Sequence, residues 1–441
     1  ADMGAYYYHQ ISTYEGPIWH VAIDGSDETG DGSSEYPFLS IQYADQHSVV
    51  GDTISLGPGE YLENVYFNHD TITVIGDTIS ASVVNGGNIE SCFSVDSSFI
   101  DIFNISFTNG SVQTWPKNGS GIRYFESMGS LNNCLFYNNN STTDGAGAGG
   151  IGVNYSSVDI TNCEVYNNSA ADIGGGIGYI WSSGAVSESR IYNNSSNGID
   201  PRGGGGIAIW HSSVNIDHSL LNNNNATRGG GVWIQNISDL NILNSTITEN
   251  TASVRSGGIS QYDWSNNSVS IVNSIIWGND APANPDYGIG EPDINYSLIQ
   301  WPSGMGNINS DPMFLEDYSL SYNSPAIDAG HPDLDGDGDT WDIDPDEQDP
   351  DGTRMDMGAF YFHQLPPNEV PDNYLWSTTY GSEVQDMFYD IQPTVDDALI
   401  VTGYKASDVW LLKMDQSGNI QWERIFIFGN SGIGRAVQST S

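Results

Sequence analysis

The feature that most constrains this chain is a repeat of about 28 residues running through its middle. Seven segments align, beginning at Asn104, Asn133, Asn162, Glu188, His218, Asn244 and Asn273, with steps of 29, 29, 26, 30, 26 and 29 residues. The second position of each holds Ile105, Cys134, Cys163, Ser189, Ser219, Ser245 or Ser274, all small or apolar. Two residues further on stand Phe107, Phe136, Val165, Ile191, Leu221, Ile247 and Ile276, with a mixed position between. That alternation predicts a strand with one buried face. A second strand opens after a glycine run, at Gly149-Gly150-Ile151, Gly175-Gly176-Ile177, Gly205-Gly206-Ile207, Gly230-Gly231-Val232 and Gly257-Gly258-Ile259. Short strands, glycine turns and no helical period predict an all-β parallel solenoid in which each coil stacks on the last.

One column supports the stacking. Six positions after the repeat starts stand Asn139, Asn168, Asn194, Asn224, Asn250 and Asn279. Identical amides spaced about 4.8 Å apart can hydrogen-bond along the solenoid axis, so this column reads as architecture.

The chain resembles the right-handed parallel β-helix proteins of the pectate-lyase-like superfamily, in their secreted bacterial surface form. The residues that carry the resemblance begin with Trp19-His20-Val21-Ala22-Ile23-Asp24-Gly25-Ser26-Asp27 and Gly30-Asp31-Gly32, then Tyr36-Pro37-Phe38. They continue with Gly51-Asp52-Thr53-Ile54 and Pro58-Gly59-Glu60-Tyr61, and close with Asp311-Pro312-Met313-Phe314 and Ser324-Pro325-Ala326-Ile327-Asp328-Ala329-Gly330. The resemblance implies a right-handed β-helix of nine or ten coils, with Ser40 to about His47 as a short helix capping the open first coil. Function does not follow from it, because this fold hosts lyases, hydrolases, epimerases and non-catalytic surface proteins.

Composition limits the partners. Eleven basic residues against 56 acidic ones give a net charge of −45. That balance argues against nucleic acid and against an anionic membrane surface. No apolar run approaches the roughly 20 residues of a spanning helix. Three cysteines are an odd number, so no disulfide scaffold is expected. Cys134 and Cys163 share a column in adjacent coils, but in-register parallel neighbours give poor disulfide torsions, so buried free thiols are expected.

The sharpest chemistry lies in residues 333–351. Asp333, Asp335 and Asp337, then Gly338, Asp339 and Asp344, match positions 1, 3, 5, 6, 7 and 12 of a calcium loop, without evident flanking helices. Such carboxylates repel one another unless a hard cation neutralises them, so Ca²⁺ is expected to staple this segment to the solenoid end. Asp24, Asp27 and Asp31 form a weaker calcium candidate.

Catalytic signals are sparse: no Asp-Asp pair sits on the coils. Arg202, Arg228 and Arg255 share one turn at spacings of 26 and 27 residues, near Trp210, His211, Trp233 and Tyr262. An arginine column beside an aromatic strip would cradle a polysaccharide or cell-surface glycan. The other reading is that the arginines offset Asp172 and Asp200. Tyr137, Tyr166 and Tyr192 form an outward stacking column, and Glu164 and Arg190 a surface ion pair.

The pattern changes after the Leu365-Pro366-Pro367-Asn368 linker. A segment led by Trp376 restarts at Trp422, 46 residues on, with four short strands between, resembling β-propeller blades. One and a half blades cannot close a propeller, so this part reads as a fragment. Asp2-Met3-Gly4-Ala5-Tyr6-Tyr7-Tyr8-His9-Gln10 returns as Asp356-Met357-Gly358-Ala359-Phe360-Tyr361-Phe362-His363-Gln364, which casts the first residues as the tail of a preceding module of a larger modular chain. The expected domains are therefore residues 1–14 (that tail), 15–330 (the β-helix), 331–364 (the Asp-rich closing segment), 365–375 (the linker) and 376–441 (incomplete propeller-like repeats). The expected function is a non-catalytic, calcium-stabilised extracellular or cell-surface module for adhesion, glycan binding or spacing. The alternative is a polysaccharide lyase or related carbohydrate-active enzyme acting on an acidic polysaccharide.

Overall fold

The computed structural model describes residues 16–68, 71–113, 119–142, 147–261, 266–288, 290–300, 303–364, 386–393, 399–405, 408–414 and 420–426. The N-terminal copy of the echo, the 365–375 linker, Trp376 and Tyr262 lie outside these residues.

Four parallel sheets wrap one core. An eleven-stranded sheet runs from Ile18–Val21 to Asp293–Asn295, a ten-stranded one from Gly59–Leu62 to Leu298–Ile299, and a nine-stranded one from Val65–Asn68 to Tyr287–Gly288. A six-stranded sheet of shorter strands runs from Ser111–Val112 to Thr251–Arg255. One coil visits all four, as in Ile151–Asn154, Ser157–Thr161, Glu164–Tyr166 and Ser169–Ala170. The regular part makes about seven turns rather than the nine or ten coils expected, with incomplete rungs at the ends.

Inward positions stack like on like. Ile122, Ile151, Ile177, Ile207, Val232 and Ile259 are register partners in one buried column. Phe67, Phe93, Phe107 and Phe136 follow one another through the interior at 5.1, 5.0 and 4.8 Å. The helix Ile41–His47 lies at the start of the solenoid, N-capped by the Ser40 hydroxyl. The Glu63 carboxylate accepts from the Ile41 and Gln42 amides, satisfying two of its free N–H groups.

Three corners of each coil share one design: a residue in the left-handed region, then a buried residue whose side chain bonds along the axis. At one corner Asn138, Asn167, Asn193 and Asn223 take φ of 54–56° before the asparagine column. There each Oδ1 accepts both the backbone N–H and an Nδ2–H of the asparagine one coil back, at 2.9–3.0 Å from Asn139 through Asn279. At a second corner Asn133 and Asn162 precede Cys134 and Cys163, and Glu188, His218, Asn244 and Asn273 precede serines. The Cys163 sulfur accepts the Cys134 amide at 3.4 Å, where Ser189 Oγ accepts that of Cys163 at 3.0 Å. All three cysteines are buried and free, and burial pushes the Cys92 thiol up to about 12. The second repeat position is thus a corner residue, not the strand residue that alternation predicts. Burial alternates there because the corner side chain also points inward.

Residues 311–362 fold back over the last rungs. Leu320, Ala326 and Met357 are buried against Ile275 and Leu298. The Gly358 amide donates to the Asn273 carbonyl, and at φ +108° an added Cβ would meet Ile275 Cδ1 at 2.8 Å. Residues 363–441 are a separate compact unit. It holds a four-stranded antiparallel sheet, Asp386–Pro393, Leu399–Lys405, Asp408–Met414 and Ile420–Phe426, with Val401, Trp410, Leu412 and Met414 in its core.

Candidate functional site

The third corner departs most from the asparagine corner. Its left-handed positions hold Glu126, Tyr155, Trp181 and His211, at φ of 50–54°. Asparagine tolerates that conformation, whereas bulky residues there carry strain of the order of 1 kcal/mol or more. The serine behind each bonds as the asparagines do elsewhere: Ser127, Ser156, Ser182 and Ser212 amides donate to the next serine's Oγ at 3.0–3.1 Å. The corner is therefore built equally well, yet it presents large rings outward. Tyr155 and Trp181 are 56% and 51% exposed. Their rings lie parallel within 5° at 6.3 Å, and His211 stacks on Trp181 at 3.8 Å. Partial burial there lowers the His211 pKa and favours the neutral ring.

A row of hydroxyls runs beside the rings. Met128, Ser157, Ser183, Ser213 and Asp239 are successive register partners on the eleven-stranded sheet. Ser157, Ser183 and Ser213 are exposed, and Ser183 Oγ donates to Ser157 Oγ at 3.1 Å. Rings and hydroxyls together line an open trough of about 610 Å³, with Glu126, Ile237 and Asp239 at its edges.

The residues expected to form the groove are distributed otherwise. Arg202 is bound to Asp172 at 2.5 Å, and Arg228 is paired with Asp200. Arg255 is the register partner of Arg228. Trp233 does point away from the solenoid core but is only 1% exposed. A loop covers it, its Nε1–H donating to the Pro201 carbonyl, and Ile173, Ile180 and Ala208 surround it. Trp210 is half-buried against that cluster. Among the described residues of that set, only His211 lines the trough. Trp210 and Trp233 lie three and one residues into their strands, and the ring column lies one residue past the strand end, at Tyr155, Trp181 and His211. Aligning the residue four after each glycine-run isoleucine would have found it.

A smaller pit lies further along the nine-stranded sheet. Arg123, nearly buried, pairs with Asp96 at 2.6 Å, and the Tyr66 hydroxyl donates to Asp96 at 3.0 Å. The Arg123 guanidinium lies 5.1 Å from the Phe125 ring centre, and Phe125 meets Tyr155 edge-on at 5.9 Å. The pit and the ring column are thereby joined. Elsewhere Tyr137, Tyr166 and Tyr192 stack at 5.3 and 5.0 Å. Glu164 accepts from the Tyr192 hydroxyl while Arg190 lies over Phe360, so these two register neighbours have other partners.

The acidic closing segment gathers into two overlapping groups. Carboxylate oxygens of Asp333, Asp335 and Glu347 lie within 4.8 Å of one another, as do those of Asp335, Asp337 and Asp344. Asp339 belongs to neither; its amide donates to Asp337. Glu347, fully buried, was not read as a ligand from the loop pattern. Its Oε1 accepts the Leu334 amide, whereas its Oε2 and Asp333 Oδ1 are buried without a hydrogen-bond partner. Two orphaned carboxylate oxygens among hard oxygen donors fit a cation such as Ca²⁺. At the N-terminal end, Asp27 instead caps Leu39 and Ser40.

Comparison with known proteins is consistent with the fold. No family profile and no characterised protein matches the sequence. A crystal structure of pectate lyase Pel9A is similar at a TM-score of 0.50 and 15% identity, covering 78% of this chain and 96% of that one. A complex of XylC with xylose scores 0.37 at 12% identity, covering 68% and 87%, and a rhamnogalacturonan lyase 0.38 at 15%, covering 80% and 97%. At such identities the first likeness is one of fold, a pectate-lyase-like β-helix.

Proposed function

We propose that this chain is a non-catalytic extracellular β-helix module that binds a polysaccharide along the Tyr155–Trp181–His211 column. The observation that carries the reading is the placement of large rings at strained left-handed corners where the parallel corner of the same coils uses asparagine. The stacked rings, in line from coil to coil, present a continuous apolar edge across which a sugar chain can lie, and the serine row offers hydroxyl partners beside it. The acidic groups at residues 333–347 supply a calcium staple at the solenoid end. Loops of this kind in extracellular modules bind at 10⁻⁴–10⁻³ M, which suits a calcium-rich exterior. The domain divisions at 330, 364 and 375 and the place of the chain in a larger modular protein belong to the same proposal.

Affinity electrophoresis of the whole chain against soluble polysaccharides tests the reading. Retardation by at least one polymer is expected, and Trp181→Ala should weaken it at least tenfold with the melting temperature held. If Trp181→Ala binds as the parent does, the column is not the site.

The lyase alternative draws on the Arg123, Asp96 and Tyr66 pit, where a guanidinium and a carboxylate meet beside the rings. Incubation with acidic polysaccharides would then raise the near-ultraviolet absorbance of an unsaturated product, and Arg123→Ala would abolish the rise.

A further inference from the structure

We infer that the trough selects uncharged polysaccharides and rejects polyuronates, an inference that rests on the glycan-binding reading above. The charge of the lining is the ground for it. Its members that can carry charge near neutral pH are Glu126, Asp239 and His211, and none of its lining residues is a lysine or arginine. Glu126 and Asp239 are exposed and stand at opposite ends of the ring column, so a chain laid along the rings passes both.

Three arginines of the solenoid are already committed to carboxylates. Arg123 is held by Asp96, Arg202 by Asp172 and Arg228 by Asp200. Freeing any of them leaves a carboxylate behind, so no net positive charge is gained. A polyanion would also approach a molecule of net charge −45. What remains is a surface of rings and serine hydroxyls. A hydroxyl both donates and accepts, so it pairs with sugar hydroxyls in either sense. Neutral sugars therefore lose little on entering, whereas a carboxylate gives up its hydration without gaining a cation.

The test compares soluble neutral polymers (xyloglucan, galactomannan and mixed-linkage β-glucan) with polygalacturonate by affinity electrophoresis of the whole chain at low salt. Each is run with EDTA and with millimolar Ca²⁺. At least one neutral polymer should retard the protein, and polygalacturonate should bind at least tenfold more weakly in both conditions. Glu126→Gln combined with Asp239→Asn should narrow that gap at low salt. Polygalacturonate binding as strong as neutral binding, with or without Ca²⁺, would overturn the selectivity while leaving the ring column as the site, provided Trp181→Ala still weakens it at least tenfold. Retardation by no polymer, or binding untouched by Trp181→Ala, would overturn the glycan-binding reading itself.

Discussion

Asparagine serves this fold because its amide has two donors and an acceptor able to take two bonds, matching the needs of a stacked corner. Asn194 shows this: its Oδ1 takes two bonds from Asn168, and its Nδ2–H groups reach the Val165 carbonyl and Asn224 Oδ1. Such a saturated buried network is stable only while every member is present, each orphaned group costing about 1–3 kcal/mol. The column ends differently, on Asp286, whose Oδ1 accepts the amide and an Nδ2–H of Asn279 at 3.2 and 3.0 Å. Its Oδ2 is buried without a partner, and burial holds its pKa above the ordinary 3.8 despite those two bonds. A carboxyl with a raised folded pKa favours the folded state once protonated. Its contribution is fully present below about pH 4 and is lost as the pH climbs through the folded value. Asp286→Asn should therefore be more stable than the parent at neutral pH, and the advantage should shrink toward pH 4. Urea midpoints across that range check this, and a difference independent of pH would count against a buried charge at the end of the ladder.

At the scale of elements, the solenoid was legible because stacking repeats each requirement in every coil, so glycine runs, alternation and the asparagine column all recur in register. The rings were harder to place. Tyr155, Trp181 and His211 differ from one another, and the two tryptophans read with His211, Trp210 and Trp233, belong to other columns of the same sheet. Whether Trp233 is covered depends on the loop at Pro201, a contact 32 residues away that no spacing reveals. The closing segment shows both outcomes: the loop pattern found Asp333, Asp335, Asp337 and Asp344, while Glu347 joins through the fold of the segment. Because that segment seals the last rungs, cation binding there should stabilise the solenoid, by about 2.7 kcal/mol at a hundredfold excess over Kd. EDTA is expected to lower the melting temperature and Ca²⁺ to restore it with saturation. In Glu347→Gln or Asp335→Asn the calcium-dependent increment should vanish. An increment surviving both substitutions would place the cation elsewhere.

At the scale of the molecule, a chain with 56 acidic residues sets part of them on a solenoid that stacks like positions on one another about 4.8 Å apart, closer than the roughly 8 Å screening length of physiological salt. Directly stacked carboxylates would repel along the whole solenoid. The exposed face of the eleven-stranded sheet shows how this is managed. Asp101, Ser130 and Asp159 are successive register partners, so a hydroxyl separates the two carboxylates. Ser130 Oγ donates to Asp101 at 2.7 Å, and the Ala185 amide donates to Asp159 at 2.9 Å, so each charge is also bonded by a neutral neighbour. Spacing charges two coils apart lets this face carry them without setting one coil against the next. Ser130→Asp would place three carboxylates in line and remove the donor to Asp101. Two new contacts at this spacing on a wet surface cost about 1–2 kcal/mol together at low salt. The variant should melt below the parent in low salt, and molar NaCl should recover much of the gap by screening. Ser130→Asn, which keeps a donor and adds no charge, should melt near the parent at every salt concentration. Equal losses for both variants, unmoved by salt, would mean that the serine is needed for its shape and that charge spacing is not what its position achieves.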